Sequence, residues 1–141
     1  MSLHPILQQK IDALILRMKA LNWIVDVQQG FRSFTDQQKL YDQGRRTPGK
    51  IVTNAKPGDS LHNYGLAADV VFKLNGYWAW DENLNWNLLG EEGKKLGLTW
   101  GGDFKNLKDR PHFQYTNGLT LDRIKEIYNN GGLTKLWEEI V

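Results

Sequence analysis

Three side chains in two short segments have the types and the spacing of a metal site. His62 and Asp69 lie in the segment 60–69, and His112 follows much later in the chain. Imidazole nitrogens and carboxylate oxygens both bind zinc, and a zinc with three protein ligands keeps a fourth position open for water. That open position distinguishes a catalytic zinc from a structural one. The pattern therefore predicts a zinc hydrolase, although the same donors also suit other divalent ions.

The surroundings of these residues strengthen this interpretation. Asp69 interrupts an otherwise apolar run, 66–72, and a carboxylate that is buried there must be paired or bound to a metal. A further acidic residue, Asp109, stands three positions before His112. Asp103 stands nine positions before it and is the weaker candidate for a role beside the metal.

The composition is typical of one globular domain. The chain has 141 residues, of which 40% are hydrophobic and 24% are charged. It contains no cysteine, which excludes disulfides and thiolate ligands, so a metal must be held by nitrogen and oxygen. Its six tryptophans are predicted to be large anchors of the core.

The charge pattern excludes some partners. A net charge of +2 is too small to predict nucleic-acid binding, which requires a pronounced basic surface. We recognise no signal peptide, and no apolar run is long enough to span a membrane. One loop has a local excess of basic residues, which indicates either a solvated face or attraction to an anionic polymer. These residues are Arg45, Arg46, Lys50 and Lys56.

Hydrophobic periodicity predicts an α+β fold with a small, mainly antiparallel sheet flanked by helices. Helices are predicted over 5–21, from Thr35 to about Gly44, over 84–96, over 121–130 and at the end of the chain. Strands are predicted over 23–27, 66–72, 77–80, 98–100 and 112–115, with 45–60 as a long loop. Thr35 and Gln38 fit a capping box, and Gly131 is predicted to end the fourth helix. No role is predicted for His4, which lies near an end expected to be frayed.

The predicted elements can bring the metal-site residues together. His62 is expected on a turn, and Asp69 on the strand that follows it. The proline before His112 disfavours helix at the preceding residue, so Asp109 is expected on a turn. His112 should then begin a strand, on which its side chain shares a face with Gln114.

Four segments of the chain agree with one known signature. They contain Ser60-x-His62-x-x-Gly65-x-Ala67-x-Asp69 with Asp109-x-x-His112, Gly30-Phe-Arg32-Ser33 with Gln37, Asn54-Ala-Lys-Pro57-Gly58, and Gly97-Leu-x-Trp100-Gly101-Gly102-Asp103-Phe104. This pattern, over about residues 24–116, resembles the zinc D-alanyl-D-alanine carboxypeptidase and L-alanyl-D-glutamate endopeptidase family. The resemblance implies the fold of that family, which is similar to that of hedgehog signalling domains. It also implies zinc-dependent cleavage of peptidoglycan stem peptides.

The resemblance also implies roles for particular residues. One Zn²⁺ per chain is expected to be bound by His62, Asp69 and His112. Asp109 takes the position of the family's catalytic acidic residue, where many relatives have Glu, and is expected to be the general base. Arg32 is expected to stabilise a developing oxyanion or to clamp a substrate carboxylate. Further residues of the substrate cleft are expected to be Ser60, Gln37 and Tyr64.

Within the family, the segments around Arg32, Asn54 and Pro57 most resemble the L-alanyl-D-glutamate endopeptidases of autolysins and endolysins. The predicted protein is a monomeric catalytic domain, 1–141, that has no separate wall-binding module and acts on the stem peptide. Without a recognised signal peptide, it is expected to reach the cell wall from the cytoplasm by holin-type release or another export route. Two alternatives stay open: a D-alanyl-D-alanine carboxypeptidase or dipeptidase, and a non-catalytic, zinc-containing peptide-binding module.

Overall fold

A computed structural model describes residues 2–141 and has the predicted α+β architecture. The helices are α1 (Pro5–Ala20), α2 (Phe34–Asp42), α3 (Trp86–Lys95) and α4 (Leu121–Glu138). The strands are β1 (Val25–Gln29), β2 (Ala67–Leu74), β3 (Tyr77–Ala79), β4 (Thr99–Trp100) and β5 (His112–Gln114). Two short 3₁₀ turns cover Leu61–Tyr64 and Gly101–Asp103. Within the described range, no helix is both long and apolar enough to cross a bilayer.

The central strand of the sheet is β2, and all pairings between the named strands are antiparallel, as predicted. One edge of β2 pairs with β1, while the other edge pairs first with β5 and then with β3. In this register, Asp69 lies opposite His112, and Phe72 lies opposite Ala79. The end of β3 therefore approaches the beginning of β5 along the same edge of β2.

Two apolar clusters support the sheet from different sides. The larger cluster joins α1, the sheet and α3, and it includes the fully buried Leu7 and Phe113. The smaller cluster joins α4 to the turn before β2 through Leu66 and Ile124. Burial of one such side chain contributes roughly 1.5–3 kcal/mol, so both ends of the turn–β2 segment are firmly packed.

The tryptophans divide between the core and the surface. Trp86 and Trp100 are buried, as predicted for core anchors. The same prediction is wrong for Trp78 and Trp80, which are 39% and 52% exposed. Both lie in or just after β3, which pairs with the outer half of β2, and no further layer of the described chain covers them.

The predicted N-cap of the second helix, Thr35, is wrong by two residues. Ser33 caps α2, because its Oγ accepts a hydrogen bond from the backbone N–H of Asp36 at 3.0 Å. Thr35 therefore lies inside the first turn and cannot form the predicted capping box. The first strand also begins at Val25, two residues after the predicted Trp23.

The two ends of the chain are also ordered differently from the prediction. His4 is buried and caps α1: its Nδ1 accepts from the N–H of Ile6, and its Nε2 lies 3.1 Å from the carbonyl of Trp137. The expected frayed end is therefore held by the last turn of α4. That helix breaks at Gly132, with φ 76°, one residue after the predicted Gly131.

Candidate active site

His62 is presented by the 3₁₀ turn that precedes β2. The hydroxyl of Ser60 accepts a hydrogen bond from the backbone N–H of His62 at 3.3 Å and so begins the turn. Gly65 ends it with φ 70°, a left-handed conformation that glycine adopts without strain. A Cβ at this position would also lie 2.8 Å from the carbonyl of Ser2. The turn thus directs His62 inward while the chain enters β2.

The three predicted metal ligands lie together. Oδ1 of Asp69 is 3.5 Å from Nε2 of His62 and 3.6 Å from Nδ1 of His112, and the three atoms lie within 4.8 Å of one another. Among the described residues this buried oxygen has no hydrogen-bond partner. Burial tends to raise the pKa of Asp69, but hydrogen bonds and charge from the two imidazoles, when these are protonated, outweigh it and hold that pKa well below its usual range.

Hydrogen bonds on the far side of each ring define which nitrogen faces Asp69 with a lone pair. Nδ1 of His62 lies 2.8 Å from the carbonyl of Gly30, and Nε2 of His112 lies 2.8 Å from Oε1 of Gln114. Because both oxygens can only accept, these nitrogens carry the hydrogen. Nε2 of His62 and Nδ1 of His112 are then free to bind a cation, as metal-ligating histidines generally require. Together with the unpartnered carboxylate oxygen, this donor set fits a divalent metal.

Asp109 borders this cluster, with Oδ2 4.0 Å from Nδ1 of His112 and its side chain half exposed. Its backbone N–H donates to the carbonyl of Gly101 at 3.0 Å, and the indole of Trp100 donates to the next carbonyl, that of Arg110. A Cβ on Gly101 would collide with the carbonyl oxygen of Asp109. The backbone at Gly101 therefore approaches that of Asp109 so closely that position 101 requires glycine. This contact positions the carboxylate of Asp109.

The electrostatic environment of Asp109 differs from that of Asp69. Partial burial and the charge of Asp69 raise the pKa of Asp109, although His112 and other cations nearby oppose the shift. A raised pKa suits a carboxylate that exchanges protons during catalysis. Asp103, the weaker candidate, is instead 2.9 Å from Nζ of Lys94 and half exposed.

Arg32 also reaches the cluster. Its Nη1 donates to Oε1 of Gln37 at 3.1 Å, and its buried Nε has no partner among the described residues. Burial lowers the pKa of Arg32, against the charges of Asp69 and Asp109, which raise it. The cation is therefore partly desolvated and faces carboxylates, a setting in which it can bind a further anionic oxygen.

Gln37 lies beneath the site rather than in it. It is fully buried, and its Nε2 donates to the carbonyl of Ala55 at 2.9 Å, so one amide joins Arg32 to the long loop. Asn63, which sequence reasoning missed, donates to the carbonyl of Arg32 and accepts from the N–H of Gly58. Nothing in the sequence marks Asn63 except its place beside His62.

Tyr64 lies outside the cleft. Its hydroxyl donates to the carbonyl of Gly58 at 2.7 Å, and its ring packs edge-on against Phe34 and Tyr128. Burial, followed by the charge of Asp59, raises the pKa of Tyr64 to about 12. The residue therefore supports the loop before His62 and stays protonated at neutral pH.

The remaining predicted residues line one cleft of about 300 Å³. Ser60 faces it, and the long loop contributes Val52 and Thr53 to its wall. The ionisable groups that line it are Arg32, His62, Asp69, Asp109 and His112. The three predicted metal ligands, the carboxylate of Asp109 and the guanidinium of Arg32 thus face the same space.

Comparison with known proteins gives consistent matches. A family model described as D-alanyl-D-alanine carboxypeptidase matches residues 53–115. The peptidoglycan L-alanyl-D-glutamate endopeptidase CwlK of Bacillus subtilis (strain 168) is 46% identical, over 79% of this chain and 72% of the relative.

Two solved structures show the same fold. The L-Ala D-Glu endopeptidase ChiX of Serratia marcescens has a TM-score of 0.59 and 25% identity, covering 93% of this chain and 85% of its own. The vancomycin-resistance D,D-pentapeptidase VanY, solved with Zn(II), has a TM-score of 0.56 and 21% identity, covering 94% of this chain and 79% of its own.

Proposed function

Because the chain belongs to this peptidase family, described as D-alanyl-D-alanine carboxypeptidase, we propose that it is a zinc-dependent peptidoglycan hydrolase cleaving the L-alanyl–D-glutamate bond. The observation that carries the proposal is the cluster of His62, Asp69 and His112 in one cleft with Asp109 and Arg32. The identity of the bond is supported by the 46% identity to CwlK, whose name states that activity. The proposed place of action is the cell wall, and endolysin-type release is one way for the protein to reach it.

The proposed metal ligands are Nε2 of His62, Oδ1 of Asp69 and Nδ1 of His112. Zinc bound there supplies a Lewis acid that activates water and polarises the scissile carbonyl. Zinc is favoured over other divalent ions because two imidazoles and one carboxylate are donors of known catalytic zinc sites. The carbonyl of Gly30 and the amide of Gln114 keep the two rings oriented, and they do so without the metal.

Asp109 is proposed to take the proton from the attacking water and to deliver it to the leaving amine. Its carboxylate lines the cleft beside His112 and is half exposed, so it can accept a proton from a water there and release it again. Aspartate is one methylene shorter than glutamate, and the close contact of its loop with Gly101 supports its reach into the site.

Arg32 is proposed to stabilise the negative charge that develops on the carbonyl oxygen, or to bind a substrate carboxylate. Its unpartnered Nε supports this role. Loss of a single donor to an oxyanion typically costs about 3–4 kcal/mol of transition-state stabilisation. Gln37 is proposed as a positioning residue, because it holds the guanidinium without lining the cleft.

Mass spectrometry of muropeptides from digested walls tests the function. The expected products are stem peptides that begin with D-glutamate and glycan strands that retain L-alanine. The description of the matching family favours one competing function, a D-alanyl-D-alanine carboxypeptidase. Release of free D-alanine with intact L-alanyl–D-glutamate bonds would establish that function instead. A zinc-loaded protein that leaves every muropeptide intact would support a non-catalytic module.

A further inference from the structure

A second groove, of about 540 Å³, adjoins the catalytic cleft on the other side of Asp109. Asp109 lines both spaces. The other groove residues on which the inference rests are Trp80, Glu82, Trp86, Lys108 and Arg110. The groove forms where the chain leaves β3 and enters β5, because both strands pair with the same edge of β2.

The groove has an aromatic wall and ordered polar groups. The side chain of Trp80 is 52% exposed, and its ring has no aromatic partner among the described residues. The guanidinium of Arg110 lies 5.5 Å from the ring centre of the buried Trp86 and donates to the carbonyl of Glu82 at 3.3 Å. An exposed flat ring beside such polar groups is suited to a ligand that has both apolar and hydrogen-bonding faces.

The groove differs in charge from the long loop that borders the catalytic cleft. In the groove, the cations Lys108 and Arg110 are matched by the carboxylates of Glu82 and Asp109. The long loop supplies Val52 and Thr53 to the catalytic cleft. Residues 45–56 of that loop contain four basic residues and no acidic one. Anionic parts of a substrate are therefore attracted to the loop, and a neutral part is better accommodated by the groove.

We propose that this groove binds the amino-sugar to which the stem peptide is attached, and that the basic loop faces the carboxylates of D-glutamate and the residues beyond it. The inference rests on the proposed endopeptidase function. L-Alanine is the only residue between the scissile bond and the sugar's lactyl group, and one extended residue spans about 3.5 Å. A sugar subsite must therefore adjoin the catalytic carboxylate, as this groove does through Asp109. Trp80 stacks against the sugar ring.

Kinetics on two matched substrates test the proposal. One is an N-acetylmuramyl stem peptide, and the other is the same peptide without the sugar. For the unmodified protein we expect a KM about tenfold lower for the sugar-linked substrate, a typical contribution of one anchoring aromatic. Trp80→Ala should remove this difference and leave KM for the free peptide and kcat for both substrates nearly unchanged.

Trp78→Ala is the matched control. Trp78 is an exposed tryptophan of the same hairpin, but its ring packs under Nζ of Lys73 at 4.6 Å and does not line the groove. This variant should retain the preference for the sugar-linked substrate. Equal KM values for the two substrates in the unmodified protein would overturn the sugar subsite. So would a Trp80→Ala variant that weakens both substrates equally, because the groove would then bind peptide.

Calorimetry on Asp109→Asn separates failure of the subsite from failure of the proposed function. In this variant, binding is measured without turnover. The sugar-linked peptide should bind more tightly than the same peptide without the sugar, and this difference should again depend on Trp80. If the unmodified protein cleaves neither substrate, the proposed function fails. If the variant also binds both peptides equally, the proposed sugar subsite is contradicted as well.

Discussion

Gln114 holds the imidazole of His112 in one orientation, with Oε1 of the amide 2.8 Å from Nε2 of the ring. The two side chains are two residues apart on β5 and share a face of that strand. Because the amide oxygen can only accept, Nε2 carries the hydrogen and Nδ1 faces Asp69 with its lone pair. The orientation of this proposed ligand is therefore set by a neighbour that is not itself one of the proposed ligands.

Replacement of Gln114 should weaken metal binding. In Gln114→Leu the ring of His112 loses its acceptor, and we expect zinc affinity to fall by about 10–100-fold, as is typical when such a supporting partner is removed. Competition with a chromophoric chelator measures the change. Gln114→Glu is the control, because its carboxylate still accepts from Nε2, and it should bind zinc nearly as tightly as the unmodified protein. Unchanged affinity in Gln114→Leu would contradict this role.

Asp109→Asn should separate metal binding from catalysis. The amide is nearly isosteric but cannot accept a proton, so we expect wall lysis to fall by about 10²–10⁴-fold while zinc stays stoichiometric. Turbidity of cell-wall suspensions and elemental analysis give the two measurements. Asp103→Asn is the matched control, because that carboxylate pairs with Lys94 at 2.9 Å and should be dispensable for lysis. Full lysis by Asp109→Asn would remove Asp109 from the mechanism.

Gln37→Leu should lower kcat without loss of zinc. The change leaves Arg32 without its acceptor and the carbonyl of Ala55 without its donor, and a displaced catalytic group can cost up to about 100-fold in rate. The unfolding free energy should also fall, by about 1–3 kcal/mol for the unsatisfied groups. Gln37→Glu restores an acceptor for Arg32 but no donor for Ala55. Relative to Gln37→Leu, this variant should therefore restore much of kcat but little of Tm. Equal recovery of kcat and Tm would indicate that Gln37 has a purely structural role.

The stabilising effect of Glu92 should depend on pH. Glu92 is buried on α3, where burial would raise its pKa, but its ion pairs with Arg17 (3.3 Å) and Lys95 (3.4 Å) lower it below the ordinary value of 4.5. The folded state thus favours the ionised form, so the stabilisation is present above pH 4.5 and disappears as the pH falls through the lowered pKa. Glu92→Gln should have a lower Tm than the unmodified protein at pH 7, and this difference should shrink in acid.

Glu91→Gln provides a control for this experiment, since Glu91 is exposed and, among residues 2–141, forms an ion pair only with Lys94. Thermal unfolding of the three proteins between pH 3 and pH 7 makes the comparison. A Tm difference for Glu92→Gln that stays constant over this range would show that packing, and not the charge, accounts for the stabilisation.

Local sequence signals predicted most elements because their causes are local. The strand β2 follows from β-branched residues, and the hairpin after it follows from Asn75-Gly76. The errors arose where a distant contact decides. Ser33 and Thr35 are both good capping residues, and only the path of the chain after β1 selects Ser33. The position of His4 near the start of the chain predicts fraying, but a contact with Trp137, near the other end of the sequence, holds it in place.

Residue types and their spacing are enough to predict which donors can bind a metal and which turns and strands carry them. The residue types and the short spacing of Ser60, His62 and Gly65 act through the neighbouring backbone. The turn that they form can therefore be predicted from the sequence. Which nitrogen of His62 faces Asp69 depends on the tertiary structure, because Gly30 lies far from His62 in the chain. The tertiary structure also decided that the groove with Trp80 adjoins Asp109, since two strands separated in sequence pair with one edge of β2.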